Sequence, residues 1–289
     1  MARGAMMTQR ASVNGASIAF DVRGSGPPLV LIMGYRLNSS AWPAEFVEGL
    51  AERFTLVLFD NRGTGLSDKP ISGYALSNMA DDVLGLMDYL GVAQSNLLGY
   101  SMGGAIAQEL VCSHPNRVSS LVLFATLCGG PTATYASPTV MRVMHNLEGM
   151  TPAEAARRIW TVTYESGYLA ANRDKIERQM QLEIENPTPL HAADLQFQAL
   201  VEFDSSKALP GVRARTLVVT GDRDQLIPPR NSEVIADLIP GAHLILLRGR
   251  GHRAIWEAPA QCMALVAGFL EGREDFDDAT KANAIRMAL

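Results

Sequence analysis

A serine with a glycine two positions away on each side is the clearest chemical signal in the sequence. Residues 99–103 read G-Y-S-M-G, with Ser101 at the centre, and they follow a short, largely apolar run. This spacing is typical of a sharp strand-to-helix turn, because a Cβ at either glycine would clash where strand and helix meet. Such a turn exposes the serine hydroxyl as a nucleophile. Since three fixed positions also recur in ordinary turns, the flanking sequence has to decide between the two interpretations.

A serine hydroxyl is a poor nucleophile until a base removes its proton, and the base needs a carboxylate to orient it. Two later segments supply these groups. Asp222 and Asp224 follow an apolar run, and His252 ends the segment R-G-R-G-H that follows another. If both runs are strands of a parallel sheet, their loops lie at the same sheet edge as Ser101. The sequence therefore predicts a serine, a histidine and one of two aspartates at one site.

The elements that position these residues alternate between strand-like and helix-like patterns. A hairpin is predicted over residues 8–23, around the turn dipeptide Asn14-Gly15. The later strands are continuous apolar runs, which indicates an α/β fold with a mainly parallel sheet and helices on both faces. The predicted strands are residues 29–33, 54–59, 96–98, 118–125, 216–220 and 243–247, and the predicted helices are residues 46–53, 76–90, 103–112, 231–238 and 259–270.

The strand signal is absent between residues 129 and 209, where only helical patterns occur. Thr151 and Glu154 form a capping-box pattern around Pro152, which predicts a helix start. We therefore expect an all-helical cap at residues 129–209, inserted in a core of residues 8–128 and 210–270, with a tail of unassigned structure at residues 271–289. Helical patterns in this cap cover residues 138–147, 169–185 and 189–203, besides the helix that opens at the capping box.

Composition indicates a globular protein whose main partner is neither nucleic acid nor an anionic membrane. The chain has 289 residues, is 47% hydrophobic and carries a net charge of −5, with no basic cluster and no apolar run long enough to span a membrane. The first ten residues lack the apolar centre of a secretory signal. The three cysteines have no metal-binding spacing, so we expect reduced thiols in a cytoplasmic protein that needs no metal or other cofactor. The sequence leaves it open whether the protein forms a homo-oligomer.

From about residue 8 to residue 270 the chain resembles the α/β-hydrolase fold family. The resemblance rests on the G-x-S-x-G elbow, the order serine, acid, histidine, and the D-x-R-G-x-G-x-S turn at residues 60–67. It implies that Ser101 is the nucleophile and His252 the base. It also implies that Asp224 is the acid, since the family spaces this residue as G-x-x-D with a proline following. Asp222 stays the alternative.

The same resemblance implies an oxyanion hole made of two backbone N–H groups, those of Met102 and Tyr35. The family often has a histidine before the glycine of the second loop, whereas this chain has Met33 before Gly34. A backbone donor does not depend on that side chain, so the Tyr35 N–H can still serve.

The activity that the resemblance implies is cleavage of a small to medium carboxylic ester or lactone through an acyl-enzyme, as in esterases and enol-lactonases. Carbon–carbon bond hydrolases and metal-free haloperoxidases share the triad and remain alternative functions. A ligand receptor that retains the triad is a further alternative, and it would give at most slow or single turnover. A serine at the elbow is unlike haloalkane dehalogenases and epoxide hydrolases, which use an aspartate. The candidate substrate-binding residues are Trp42, Met141, Trp160, Tyr164 and Phe197.

Overall fold

A sheet with six parallel central strands forms the centre of the molecule. The computed structural model describes residues 9–276 and 284–287, and within these ranges the sheet has nine strands in the order β1-β2-β4-β3-β5-β6-β7-β8-β9. Strands β4, β3, β5, β6, β7 and β8 run parallel, and β1, β2 and β9 are antiparallel to their neighbours. The strands are β1 (Gln9–Val13), β2 (Ala16–Arg23), β3 (Pro28–Ile32), β4 (Thr55–Phe59), β5 (Ser95–Tyr100), β6 (Val118–Phe124), β7 (Arg215–Gly221), β8 (His243–Leu247) and β9 (Ala284–Met287).

Helices cover both faces of this sheet, as the continuous apolar strands predict. Successive residues of a strand point to opposite faces, so Leu97 packs into one apolar cluster and Leu98 into the other. The first cluster includes residues of α2, α3 and α9, and the second includes residues of α1 and α11. The core helices are α1 (Ala44–Ala51), α2 (Leu76–Tyr89), α3 (Met102–Ser113), α9 (Arg230–Leu238), α10 (Ala254–Glu257) and α11 (Pro259–Leu270).

Five helices form the cap between β6 and β7. The predicted capping box is present, because Thr151 Oγ1 accepts from Glu154 N and the Glu154 carboxylate accepts from Thr151 N at 2.8 Å. The single helix predicted over residues 169–185 is two helices, because the backbone leaves helical geometry at Asn172 (φ −122°, ψ 21°). The cap helices are α4 (Pro138–His145), α5 (Pro152–Thr163), α6 (Ser166–Ala171), α7 (Arg173–Glu183) and α8 (Leu190–Glu202).

The described end of the chain adds the edge strand β9, which pairs antiparallel with β8. The sequence pattern left residues 271–289 unassigned, and of these residues 277–283 and 288–289 lie outside the described part of the chain. At the other end, the hairpin predicted from residue 8 begins at Gln9, the first residue described.

Across the described residues, every helix is too short or too polar to cross a lipid bilayer.

Candidate active site

Ser101 lies on the predicted elbow, between the end of β5 and the start of α3. Its backbone has φ 54° and ψ −121°, a conformation that costs a residue with a side chain about 1–3 kcal/mol. Three hydrogen bonds hold it: Ser101 N–H donates to Phe124 O at 2.9 Å, and Ser101 O accepts from Thr126 Oγ1 at 2.7 Å and from Gly104 N at 2.9 Å. The strained serine is thus fixed by its neighbours in the sheet and helix.

The two glycines of the motif are required by close backbone contacts. A Cβ added at Gly99 would overlap the carbonyl of Gly103, and one added at Gly103 would overlap the carbonyl of Ile32. Both overlapping atoms belong to the backbone and have little room to move. The G-x-S-x-G spacing is therefore explained by steric clashes that any side chain at either glycine would cause.

The structure brings together the three side chains predicted as nucleophile, base and acid. His252 Nε2 lies 3.2 Å from Ser101 Oγ, and His252 Nδ1 lies 2.7 Å from Asp224 Oδ2. All three residues are at least nine-tenths buried. In the tautomer that carries its proton on Nδ1, His252 donates to Asp224 and leaves Nε2 free to accept the serine proton. The arrangement is therefore chemically able to activate Ser101 for attack on a carbonyl carbon.

The two aspartates have separate roles in the loops. The second carboxylate oxygen of Asp224 accepts from the N–H groups of Leu226 and Ile227, both at 2.9 Å, which fixes its orientation toward His252. Asp222 is exposed, and its Oδ1 accepts from Gly249 N at 2.7 Å. Asp222 thus ties its loop to the one that carries the histidine, and the geometry favours Asp224 as the acid.

The cap is attached to the histidine loop by a buried ion pair that the sequence pattern did not indicate. The Arg253 guanidinium donates to both carboxylate oxygens of Glu183, on α7, at 2.7 and 3.1 Å. It also lies over the rings of Tyr164 and Trp256, 5.3 and 5.0 Å from their centroids. Burial alone would lower the pKa of Arg253, but the Glu183 carboxylate raises it, so the guanidinium stays charged. No periodic pattern marks such a pair, because its partners are 70 positions apart.

Replacing Glu183 by glutamine should destabilise the protein strongly. The change leaves the Arg253 charge buried without its counterion, and breaking such a pair costs about 3–5 kcal/mol. Urea unfolding followed by circular dichroism measures the loss. The matched control is Glu177→Gln on the same helix, which breaks a solvent-exposed pair with Arg157 and should leave the midpoint nearly unchanged. Equal midpoint shifts in the two variants would contradict this role for Glu183.

The two predicted oxyanion donors belong to segments on either side of Ser101. Met102 is the first residue of α3, so its N–H has no acceptor within the helix and lies at the positive end of the helix dipole. Gly34 packs directly against the nucleophile, since a Cβ added there would lie 3.0 Å from Ser101 Cβ. Tyr35 follows it and lines the space next to Ser101. These positions are compatible with an oxyanion hole formed by both N–H groups.

Two cavities beneath the cap meet at Ser101. The larger has a volume of about 380 Å³ and is lined by both Ser101 and His252, with the Glu183–Arg253 pair in its wall. The smaller has a volume of about 130 Å³; it is also lined by Ser101, but not by His252. Met141 and Phe197, two of the predicted substrate-binding residues, line the smaller cavity, whose wall is mostly apolar.

The other three predicted substrate-binding residues line neither cavity at Ser101. Trp42 stacks between Phe46 and Trp256, with ring centroids 5.9 and 6.2 Å apart. Trp160 and Tyr164 are 3% exposed and belong to the apolar cluster on the α1 and α11 face. The prediction is corrected at these three positions, because large apolar side chains give the same sequence signal whether they fill a core or line a pocket.

The three cysteines lie in surroundings that disfavour the thiolate form. Burial raises the pKa of Cys112 to about 11 and also raises the pKa of Cys128 and Cys262, which keeps the three thiols protonated near neutral pH. Cys112 is only partly buried, unlike the other two. Within residues 9–276 and 284–287, no three His, Cys, Asp or Glu side chains are grouped so that they could hold a metal ion.

Comparison with known proteins gives consistent similarities over most of the chain. A family model described as the alpha/beta hydrolase fold matches residues 27–259. A relative from Caulobacter sp. (strain K31), named "Putative carbamate hydrolase RutD", is 28% identical over 246 residues, which are 84% of this chain and 90% of the relative.

Two solved structures show the same architecture. The enol-lactonase from Burkholderia xenovorans LB400 matches with a TM-score of 0.79 and 25% identity, covering 91% of this chain and 100% of that one. A thermophilic esterase from Thermogutta terrifontis matches with a TM-score of 0.78 and 26% identity, covering 91% of this chain and 98% of that one.

Proposed function

Since the chain belongs to the α/β-hydrolase fold family, we propose that it is a serine hydrolase that cleaves a small to medium carboxylic ester or lactone through an acyl-enzyme on Ser101. The observation that carries the proposal is the position of His252, whose ring lies between Ser101 Oγ and Asp224 Oδ2 at 3.2 and 2.7 Å. This is the arrangement that activates a serine for acyl transfer.

The proposed reaction has two halves. Ser101 Oγ attacks the carbonyl carbon while His252 Nε2 takes its proton, and the oxyanion that forms accepts from the N–H groups of Tyr35 and Met102. When the tetrahedral intermediate collapses, the bond to the alcohol oxygen breaks and that oxygen takes the proton from His252. Water, deprotonated by His252, then attacks the acyl carbon, and the carboxylic acid is released as Ser101 recovers its proton.

The position of His252 also supports an assignment of the two cavities to the two parts of the substrate. The leaving oxygen receives its proton from His252, so the alcohol part belongs in the cavity of about 380 Å³ that His252 lines. The acyl part then belongs in the apolar cavity of about 130 Å³. An apolar cavity of about 150 Å³ holds one benzene molecule, so the acyl cavity suits chains of roughly four to six carbons.

Esters and lactones fit this space better than the free carbamate ion does. The carbamate hydrolase name of the Caulobacter relative makes that ion the second candidate. The ion has only four heavy atoms and would leave most of the cavity of about 380 Å³ unfilled. Binding sites for larger organic ligands commonly have volumes of roughly 300–1,000 Å³. The names of the esterase and enol-lactonase neighbours support the same choice.

The function is tested with p-nitrophenyl esters and lactones in large excess over the enzyme. A serine hydrolase releases many products per molecule and loses this activity when a fluorophosphonate labels Ser101. A receptor that retains the triad gives at most slow or single turnover. Release of ammonia from carbamate, with no turnover of any ester or lactone, would overturn the proposal in favour of the second candidate.

Shortening Phe197 to alanine should move the acyl-chain preference toward longer chains. Phe197 lines the acyl cavity, so its removal makes room for additional methylene groups. We expect the parent enzyme to be fastest with butyrate to hexanoate and the variant to be fastest with chains longer by two or more carbons, measured as kcat/KM over a series of p-nitrophenyl esters. Trp160→Phe is the matched control, because Trp160 packs in the core and lines neither cavity. An unchanged preference in the Phe197 variant would refute the assignment of the acyl cavity.

A further inference from the structure

The residue after the predicted oxyanion donor Tyr35 has an unusual backbone conformation. Arg36 has φ 63°, one of four positive values among the described residues that are not glycine. Leu37 N–H donates to Gly34 O at 3.3 Å, which closes a tight turn over residues 34–37. Because φ is positive at the third residue of this turn but not at Tyr35, the turn follows the type II pattern, in which glycine is usual at the third position. An arginine there needs support from its surroundings.

Two cap side chains supply that support, and we call them the Arg36 clamp. Gln196 Oε1 accepts from Arg36 N–H at 3.1 Å, and Thr188 Oγ1 donates to Arg36 O at 2.9 Å. Gln196 lies on α8 and is fully buried, and its Nε2 donates to Arg62 O at 3.1 Å. The oxygen and the nitrogen of its side-chain amide therefore both form hydrogen bonds with the core backbone. The clamp thus holds the groups on both sides of the strained residue.

The clamp helps to fix the orientation of the peptide group that carries the Tyr35 N–H. Asn61 Nδ2 donates to Met33 O at 2.9 Å, which fixes the peptide before Gly34, and Gln196 fixes the peptide after Tyr35. The peptide between them is planar and trans, and its carbonyl, Gly34 O, accepts from Leu37. The Tyr35 N–H therefore points to the opposite side of this peptide and keeps that direction only while the turn stays closed.

We propose that the cap completes the oxyanion hole: Gln196 and Thr188 are positioning residues that keep the Arg36 turn closed and the Tyr35 N–H in place for the oxyanion. The inference rests on the proposed serine hydrolase function. It makes the cap part of the catalytic machinery as well as the roof of the binding site, since an enzyme with a displaced cap would lack one oxyanion donor.

Replacing Gln196 by methionine keeps the size of the side chain but removes both of its hydrogen bonds. Loss of an oxyanion donor lowers kcat by roughly 10²- to 10³-fold, so partial loss of its position should lower kcat roughly 10- to 100-fold. KM should stay within about twofold, because the interaction strengthens only in the transition state. Affinity for an aryl boronic acid, which forms a tetrahedral adduct with serine, should fall by a factor similar to that for kcat.

Two further variants separate positioning from a general effect of the cap. Thr188→Val removes the hydroxyl and should reduce kcat, whereas Thr188→Ser keeps the donor and should restore it. Gln179→Met is the matched control, because Gln179 is also a cap glutamine that donates to core carbonyls, but those of Ser40 and Ala41, which lie outside residues 34–37 of the Arg36 turn. It should leave kcat and boronic acid affinity close to those of the parent.

The inference is overturned if Gln196→Met keeps the kcat of the parent, or if Gln179→Met loses as much as Gln196→Met does. If the parent enzyme itself turns over no ester or lactone, the proposed function has failed, and crystal structures of the variants then test the role of the Arg36 clamp. If the clamp keeps the turn closed, Arg36 leaves its positive φ and the bond from Leu37 to Gly34 opens in Gln196→Met but not in Gln179→Met. An unchanged turn in the Gln196 variant would refute it.

Discussion

Replacing Ser101 or His252 by alanine should lower kcat by on the order of 10⁴-fold or more, and the double replacement should lower it little further. Without Ser101 there is no nucleophile, and without His252 at 3.2 Å the hydroxyl keeps its proton. The two residues act as one unit, so once one is replaced, replacing the other lowers kcat little further. Initial rates with a p-nitrophenyl ester at saturating concentration measure all three variants.

Ser95→Ala is the matched control for this series. Ser95 is a buried serine at the start of the same strand, and its hydroxyl donates to Asn96 O, away from both cavities. Its replacement should leave kcat within about twofold of the parent. If the losses from Ser101→Ala and His252→Ala multiplied in the double variant, the two residues would be acting independently, and the proposed triad would be wrong.

Replacing Asp224 by asparagine should lower kcat by roughly 10³- to 10⁴-fold, whereas Asp222→Asn should lower it less than about 10-fold. An amide at Asp224 can donate to His252 Nδ1, which moves the ring proton to Nε2 and removes the acceptor that Ser101 needs. Asp222 contacts Gly249 N, outside the triad, so its amide only weakens a tie between two loops.

The ranking of the two aspartate variants decides which carboxylate orients the histidine. Both changes remove one negative charge and keep the side-chain size, so each serves as the control for the other. Thermal unfolding of the two proteins checks that neither loss of rate comes from unfolded enzyme. A larger loss in Asp222→Asn would show that Asp222 supplies the acid.

The sequence was sufficient to predict strands β1 to β8, the longer core helices and the grouping of Ser101 and His252 with one of two aspartates. Buried parallel strands are continuous apolar runs, and their carboxyl ends meet at one edge, so residues far apart in sequence can be assigned to one place. The elbow is equally local, since Gly99 and Gly103 are needed for contacts within a few residues and with one neighbouring strand.

The sequence was insufficient where the outcome depends on packing across the molecule. Trp160 fills the core and Phe197 lines a cavity, yet both are large aromatic residues on cap helices. Arg36 donates to Gln196 and Arg253 donates to Glu183, across 160 and 70 positions of sequence, and no periodicity or spacing indicates these bonds. These contacts determine how the cap packs against the loops that carry Tyr35 and His252. The lining of the cavities at Ser101 therefore could not be predicted from the sequence.

The central claim, an acyl-enzyme on Ser101, is tested most directly by rapid-quench mass spectrometry during turnover of a p-nitrophenyl ester. The account predicts a burst of p-nitrophenolate approaching one per active site if deacylation is the slower half. In the quenched protein, the acyl mass should lie on the peptide that contains Ser101 and disappear in Ser101→Ala. Turnover with the acyl mass on another residue, or unchanged turnover in Ser101→Ala, would contradict it.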